Sequence, residues 1–441
     1  MSDRARGLCG ERDPREPLQL TRRDLLAAAF LAPLALQRDD ARFLGIVPLG
    51  PPGNRTPLER LLGKGLDARL FTDLTTLGNP PSEIRPSRAS GRPEPAEGRN
   101  PQSDLITPNE RFYVRTAAPD APPSLSEIGT SFGAAGSPRR VDFARLERTP
   151  GPVRVGPYLM ECAGNSDPAN FGLMSVATWT GFPMSAVIDE LAGDRAGGRI
   201  LVSGTDPAGP SATSVPGASW IFSREDLERA VLAVQMNGAP LPADHGRPAR
   251  LVVPGWYGCA CIKWVDRIER VADDAPATSQ MLEFAARTHQ PFDSAAVAAS
   301  LRAGPTDSAA ATPSLRGGPS DPRALRARDF LPAVIDTAAM PVRVEKWRVD
   351  GRLEYRITGI IWGGSTPTNA LSIRFKSGGP WTRVEHCPLP ASTLTWSLWT
   401  YTWRPDAPGR YEIVLRVDDS SIRTRRLDLF FYVREITIDE V

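Results

Sequence analysis

Apolar residues along the chain follow two different periods, and the change from one to the other divides the sequence. Between residues 106 and 271, short apolar runs such as Phe112-Tyr113-Val114, Tyr158-Leu159-Met160, Ile200-Leu201-Val202 and Leu251-Val252-Val253 alternate with stretches of helical spacing. Residues 185–191 and 224–234 carry that spacing, the second with Ser223 as an N-cap and Asp226 three residues on. The alternation predicts a mixed α+β domain over residues 101–290. Over 336–441 apolar and polar residues instead alternate at period two, in 342–347, 353–359, 371–375, 399–403 and 411–416. Turn sequences such as Gly378-Gly379-Pro380 and Ala407-Pro408-Gly409 separate these runs, which predicts an immunoglobulin-like β-sandwich. Between the two units, residues 291–335 turn to Ala, Ser, Pro, Gly and Arg and read as a linker.

The first 40 residues follow neither pattern. Arg22-Arg23 precede a nearly uncharged Ala/Leu stretch at 25–36, which stops at Gln37-Arg38-Asp39-Asp40. A basic n-region before a short apolar h-region is the layout of an export signal, and the paired arginines point to the twin-arginine route into the periplasm. The stretch falls short of the roughly 20 apolar residues that cross a bilayer, so no stable membrane span is expected. A buried helix that begins with two arginines is the other reading of the same residues. Residues 41–100 read as an irregular N-terminal extension, because 48–57 and 80–101 are dense in Pro, Gly, Ser and Arg without apolar periodicity.

Composition narrows the function without choosing it. At 441 residues, 41% hydrophobic with 10 Trp, the chain has material for two folded units. Its formal charge of +2 provides no broad field to gather nucleic acid or an acidic membrane, so any anion site must be local. Five cysteines at irregular spacing do not make a disulfide framework, and no Cys-x-x-Cys-His is present to attach a c-type haem.

Individual residues therefore carry the chemistry. Cys162 is followed by Ala163-Gly164-Asn165, small residues that let the backbone turn close to a bulky cofactor, and its thiolate would be a soft metal ligand. Taken alone it reads equally as a small buried hydrophobe. His245 and Arg250 lie five residues apart before an apolar strand, where a loop-to-strand corner presents both to one anion. A surface salt-bridge residue and a solvated histidine fit that pair as well. Lys263, in Gly258-Cys-Ala-Cys-Ile-Lys-Trp264, reads by itself as a strand-edge charge. Cys259 and Cys261, two apart on an expected strand, share one face as packed thiols or as a metal or redox pair. Trp179, in Thr178-Trp179-Thr180-Gly181-Phe182-Pro183, is placed to wall a pocket, and Met236-Asn237-Gly238 reads as a turn.

Three segments taken together resemble the sulfite oxidase family in order and spacing: 106–115 (Ile-Thr-Pro-Asn-Glu-Arg-Phe-Tyr-Val-Arg), 162–165, and 245–264 with His245, Arg250, Pro254-Gly255, Gly258 and Lys263-Trp264. The resemblance covers roughly residues 100 to 435. It implies a molybdenum-molybdopterin cofactor with Cys162 on the metal, beside the dithiolene of the pterin. Tyr113, Arg115, His245, Arg250 and Lys263 would contact the cofactor, and Arg115 would also face the substrate. The 336–441 unit would be a dimerisation domain, making the protein a homodimer.

Three positions depart from the family. Ala260 stands where an arginine is usual, Thr116-Ala117 replace Asn-His, and Asn165-Ser166-Asp167 replace an asparagine followed by two arginines. Asp167 would put an acidic group where a second sulfite-binding cation is expected, and repulsion of a doubly charged substrate makes sulfite doubtful as the physiological one. The resemblance implies oxo transfer coupled to electron exchange with an external carrier such as cytochrome c. A periplasmic sulfoxide or methionine-sulfoxide reductase is the alternative, and a non-enzymatic secreted β-sandwich binder a remote one.

Overall fold

The computed structural model of the chain describes residues 41–50, 68–78, 105–120, 122, 124, 125, 128–130, 139–166, 171–192, 198–205, 218–290 and 325–441. The expected leader at 1–40, the 80–101 stretch and residues 291–324 of the linker lie outside the described residues. Those described are mostly β-sheet with few helices. In chain order the strands are β1 (Arg42–Val47), β2 (Gly129–Thr130), β3 (Arg139–Arg140), β4 (Val153–Glu161), β5 (Met174–Pro183), β6 (Arg199–Gly204), β7 (Ser219–Phe222), β8 (Val231–Met236), β9 (Ala239–Pro240), β10 (Arg250–Val252) and β11 (Val265–Val271). Residues 325–335, expected to be linker, instead pack on the first half, with Leu325, Ala327, Phe330, Ala333 and Ile335 buried and the Ala277 and Tyr257 amides on the Leu325 and Ala333 carbonyls. After them come β12 (Ala338–Val349), β13 (Arg352–Trp362), β14 (Leu371–Arg374), β15 (Thr382–Arg383), β16 (Ser397–Trp403), β17 (Gly409–Val417) and β18 (Arg434–Ile438). Three short α-helices accompany them: α1 (Phe143–Arg148), α2 (Met184–Ala192) and α3 (Ser279–Glu283). No helix among the described residues is long and apolar enough to cross a membrane.

Two sheets make the first half, one ordered β10-β8-β5-β4 with β9 beside β8, the other β3-β2-β11-β6-β7. Strand β5 is buried along most of its length because β4 and β8 flank it on both sides. At Gly181 a Cβ would come within 2.1 Å of the Leu232 carbonyl, so only glycine fits there. Helix α2 covers residues 185–191 as the spacing predicts, with Met184, Val187, Ile188 and Leu191 buried in one stripe. Residues 224–234 depart from expectation. They form a 3₁₀ turn, Glu225–Leu227, and then enter β8. The reciprocal cap is real, with the Ser223 amide on the Asp226 carboxylate at 2.8 Å and the Asp226 amide on the Ser223 hydroxyl at 3.2 Å. Beyond it Val231, Leu232 and Ala233 are buried on both sides between β5 and β10, so sheet pairing overrides the helical period. Nor is Phe112-Tyr113-Val114 a strand; only Val114 makes a bridge, to Leu70.

In the second half the period-two runs all become strands, in sheets ordered β1-β12-β13-β16 and β15-β14-β17-β18. The sheets meet where β12 packs on β17 and where Trp403 stacks on Phe375 at 4.1 Å and meets Tyr411 edge-on at 4.8 Å. Asp350-Gly351, with φ of 52° and 77°, close the β12–β13 hairpin, as Asn237-Gly238 (52°, 78°) close β8–β9. Strand β1 belongs to this half although it precedes the first: residues 42–47, expected to be irregular, add an edge strand to β12. Pairing across that distance leaves no local signature.

The two halves share one hydrophobic core and a set of buried polar ties. Trp396 Nε1 donates to the Leu105 carbonyl at 2.9 Å, and Arg343 Nη1 to the carbonyls of Thr75 and Leu77 at 2.6 and 2.7 Å. The tie nearest Cys162 is Glu161, the last residue of β4. Its carboxylate takes both guanidinium nitrogens of Arg425, at 2.7 and 2.8 Å, and the Trp362 indole N–H at 2.9 Å. Glu161 is 1% exposed, so removing its partner strands a buried charge. Arg425→Ala should lower unfolding stability by about 3–5 kcal/mol, whereas Arg425→Ala with Glu161→Gln should recover a good part of the loss. Urea unfolding of both variants measures this; equal losses in the single and double variants would mean that the pair is not what couples the halves.

Candidate active site

Strand β4 ends at Glu161, and the chain turns at once. The Cys162 carbonyl accepts the Asn165 amide at 3.0 Å, and the Asn165 side chain accepts the Leu173 amide at 3.1 Å, closing a tight loop. The Gly164 N–H donates to Cys162 Sγ at 3.3 Å. Burial pushes the Cys162 thiol up; that N–H and the guanidinium groups of Arg115 and Arg287 pull it down without cancelling the burial. The sulfur is thus a buried thiol with the Gly164 N–H and two guanidinium groups favouring its thiolate against burial and the Glu161 charge, and a bound cationic metal would complete the change.

Behind it stands an aromatic wall. Phe112 is fully buried, stacks on Tyr113 at 5.4 Å and meets Trp179 and His245 edge-on at 5.9 and 5.3 Å. The Tyr113 N–H is fixed by Ser175 Oγ at 2.9 Å, and its hydroxyl lies where a Cβ on Gly258 would be 2.5 Å away, so Gly258 makes room for it. Trp179 lies in β5 with its indole N–H buried and without a partner.

His245 ends a 3₁₀ turn at Ala243–His245, and Gly246 (φ 113°) lets the chain reverse against Arg250 and Lys263, where a Cβ would meet Arg250 Cβ at 3.1 Å and Lys263 Cα at 3.2 Å. The glycine is what gathers the three predicted residues. His245 Nε2 donates to the Asn109 carbonyl at 3.0 Å, which leaves Nδ1 as an acceptor. Burial, then the adjacent Arg250, lower its pKa to about 4, so it is neutral at physiological pH. Arg250, 5% exposed, donates to the His245 carbonyl at 3.2 Å and to the Met160 sulfur, and lies 5.5 Å over the Trp179 ring. Its Nε has no partner, and it forms no ion pair among the described residues. A buried guanidinium without a counter-ion is poised for an anion. Lys263 Nζ donates to the Thr116 carbonyl at 2.6 Å and the Asp244 carbonyl at 3.1 Å, tying the 115–118 segment to the histidine loop. The next residue, Trp264, holds the left-handed φ of 48°, a costly conformation for so bulky a side chain.

Pairwise contacts and electrostatic coupling link Cys162, Tyr113, Arg115, Trp179, His245, Arg250 and Lys263 into one neighbourhood. Asp167 lies outside the described residues. Cys259 and Cys261 are free thiols in a turn instead of on a strand: the Ala260 and Cys261 amides donate to the Tyr257 and Gly258 carbonyls at 3.0 and 3.1 Å. The turn sends Cys261 Sγ to the Val253 backbone, while Cys259 neighbours Cys162 electrostatically. Sequence reasoning missed Glu161, Arg425 and Arg287. An acid closing the apolar run Tyr158-Leu159-Met160 was a signal for Glu161; nothing local marks Arg287.

Residues 130–279 match the family model described as oxidoreductase molybdopterin binding domain. The chain is 27% identical over 343 residues to sulfite oxidase of Gallus gallus, covering 72% of this chain and 67% of that protein. It is 32% identical over 190 residues to mitochondrial sulfite oxidase of Homo sapiens, 37% of this chain and 33% of that one. Nitrate reductase [NADPH] of Emericella nidulans is 30% identical over 196 residues, 40% of this chain and 22% of that one. In fold it resembles the sulfane dehydrogenase SoxCD from Paracoccus pantotrophus, with a TM-score of 0.51 at 18% identity over 94% of this chain and 90% of that one. The chain is a molybdopterin-binding oxidoreductase, with molybdenum-molybdopterin as its cofactor. It is similar to sulfite oxidases over that domain and beyond it.

The depressed pKa of His245 has a consequence for stability. Between pH 6.5 and about 4 the unfolded chain binds a proton on His245 that the folded chain refuses, so stability falls as pH drops through that window. The loss from this group reaches ~3 kcal/mol at its lower end. His245→Asn should flatten the acid limb of the unfolding free energy measured by urea titration. An unchanged slope would show that the imidazole titrates freely in the folded chain.

Proposed function

We propose that the chain is an exported molybdenum oxidoreductase that transfers an oxo group at a sulfur centre, oxidising a sulfite-class anion and passing the electrons to an external one-electron carrier such as cytochrome c. The observation that carries this reading is the buried Cys162 thiol with Arg115 and Arg287 beside it and the counter-ion-free Arg250 near by. The residues fit the cofactor. Cys162 would be the protein's ligand to molybdenum, a soft thiolate for a metal already held by sulfur. The orphaned Arg250 Nε and the Arg250 charge would take an anionic group of the pterin, with Lys263 adding a second positive charge. Neutral His245 would offer Nδ1 to a pterin N–H, and Tyr113, with its hydroxyl beside Gly258, would close the wall.

When bound, the cofactor supplies the oxo group and the two-electron redox change. The chain supplies position and charge. Arg115 would draw an anion towards Cys162, and the buried rings of Phe112 and Trp179 would limit water there. Sulfite and water give sulfate, two protons and two electrons, and a one-electron carrier must be reduced twice per sulfite. Export through the twin-arginine route is supported by Arg22-Arg23 ahead of residues 25–36. The C-terminal sheets are proposed to form the immunoglobulin-like unit through which two copies pair, and Cys162, Glu161 and α2 to belong to the α+β unit.

Reduction of a neutral sulfoxide is the second reading, favoured by Ala260, a fully buried apolar residue in the loop that carries Lys263. Steady-state assays separate the two. Sulfite should reduce cytochrome c, with two carriers consumed per sulfite, faster than reduced viologen is oxidised by dimethyl sulfoxide. Viologen oxidation by the sulfoxide without any sulfite-dependent cytochrome reduction would select the reductase.

A further inference from the structure

We propose that Arg287 is a substrate-binding residue of this site, an exposed cation beside Cys162 that holds an oxyanion together with Arg115. The inference rests on the reading of Cys162 as the metal ligand and deepens it, because it assigns substrate recognition to an element outside the motifs that carry the cofactor.

Arg287 follows α3. The segment is pinned by the Arg287 and Thr288 amides on the Phe284 carbonyl, at 3.0 and 2.9 Å, so the side chain leaves from a built turn. Its guanidinium reaches across to the Cys162 loop. A Cβ placed on Gly164 would stand 2.5 Å from Arg287 Nη1 and 3.7 Å from Cys162 Sγ, so guanidinium and sulfur border one small volume that exists because residue 164 is glycine. Gly164 N–H already donates to that sulfur. Two donors of positive character thus converge on the side of the thiol nearest Arg287.

The cations of the pocket divide by what they are already doing. Lys263 spends two donors on the Thr116 and Asp244 carbonyls, and Arg250 is buried against Trp179 and the His245 carbonyl. Arg287 is solvent-exposed, makes no ion pair among the described residues, and touches the face of Phe284 at 5.9 Å. A guanidinium at the solvent side of a buried sulfur meets an arriving molecule before the cofactor-facing residues do, and its planar fork suits an oxyanion bidentately. It supplies positive charge from another element where the Gly258–Trp264 loop carries Ala260.

The test uses the molybdenum-loaded full chain as wild type, Arg287→Gln and Arg287→Lys. Sulfate binding by calorimetry reads the oxyanion site without turnover, and steady-state kinetics with sulfite and with neutral dimethyl sulfoxide read the split. Arg287→Gln should weaken sulfate and raise the sulfite KM by about tenfold, the worth of one charge-assisted contact. The effect on kcat should be smaller, the sulfoxide KM should shift less, and Arg287→Lys should restore part of the sulfate affinity. Sulfate affinity and sulfite KM both unchanged in Arg287→Gln, at wild-type molybdenum content, overturn the proposal. A wild-type chain that holds no molybdenum instead overturns the reading on which it rests.

Discussion

A buried carboxylate sits one residue before the cysteine on which this site is built. Glu161 is held by Arg425 through two charge-assisted bonds and by the Trp362 indole, and its own backbone carbonyl takes the Gly258 amide at 2.7 Å. One residue therefore joins the β4 end, the Lys263 loop and the C-terminal sheets. Such a pair in a dry interior is favourable only when both partners and their remaining donors are satisfied, and here Arg425 also donates to the Tyr432 hydroxyl at 2.8 Å and lies over the rings of Tyr257 and Trp362. The position of Cys162 thus depends on Arg425, a residue 264 positions beyond Glu161 in the chain. The second half of the protein is part of how the sulfur is placed.

Around that sulfur, burial and charge act in opposite directions. Burial raises the Cys162 thiol and lowers His245, keeping both neutral in the absence of a cofactor, while the nearby guanidinium groups lean towards anions. A site of this kind is poised for a cofactor that brings a metal cation to the thiol and negative charge to Arg250 at the same time. Gly164, Gly246 and Gly258 let the chain segments come this close: each stands where a Cβ would press on Arg287, on Arg250 and Lys263, or on the Tyr113 hydroxyl. The strained backbone at Trp264 belongs to the same crowding.

Much of this was legible in the sequence, for identifiable reasons. The period-two runs of the second half became strands because each has a face in the core, and α2 appeared where Met184, Val187, Ile188 and Leu191 make a helical stripe. Cys162, His245, Arg250 and Lys263 were singled out from motifs, and contacts between neighbouring segments link them in the fold. Residues 224–234 misled because an apolar run buried on both sides satisfies a helical period by accident. Cys259 and Cys261 misled because alternation was assumed for a turn. Strand β1, the Glu161–Arg425 pair and the approach of Arg287 were invisible because each is a contact between distant segments, and a single sequence records only local preference.

The central claim is that Cys162 binds molybdenum, and X-ray absorption at the molybdenum edge tests it most directly. Measured on the full chain from a host that makes the pterin, the wild type should show molybdenum with a sulfur shell to which the protein contributes. Cys162→Ser, nearly isosteric but a poorer soft-metal ligand, should lose one sulfur scatterer while the pterin sulfurs remain. An identical sulfur shell in the two proteins would contradict the account, as would zinc in place of molybdenum in a folded wild type.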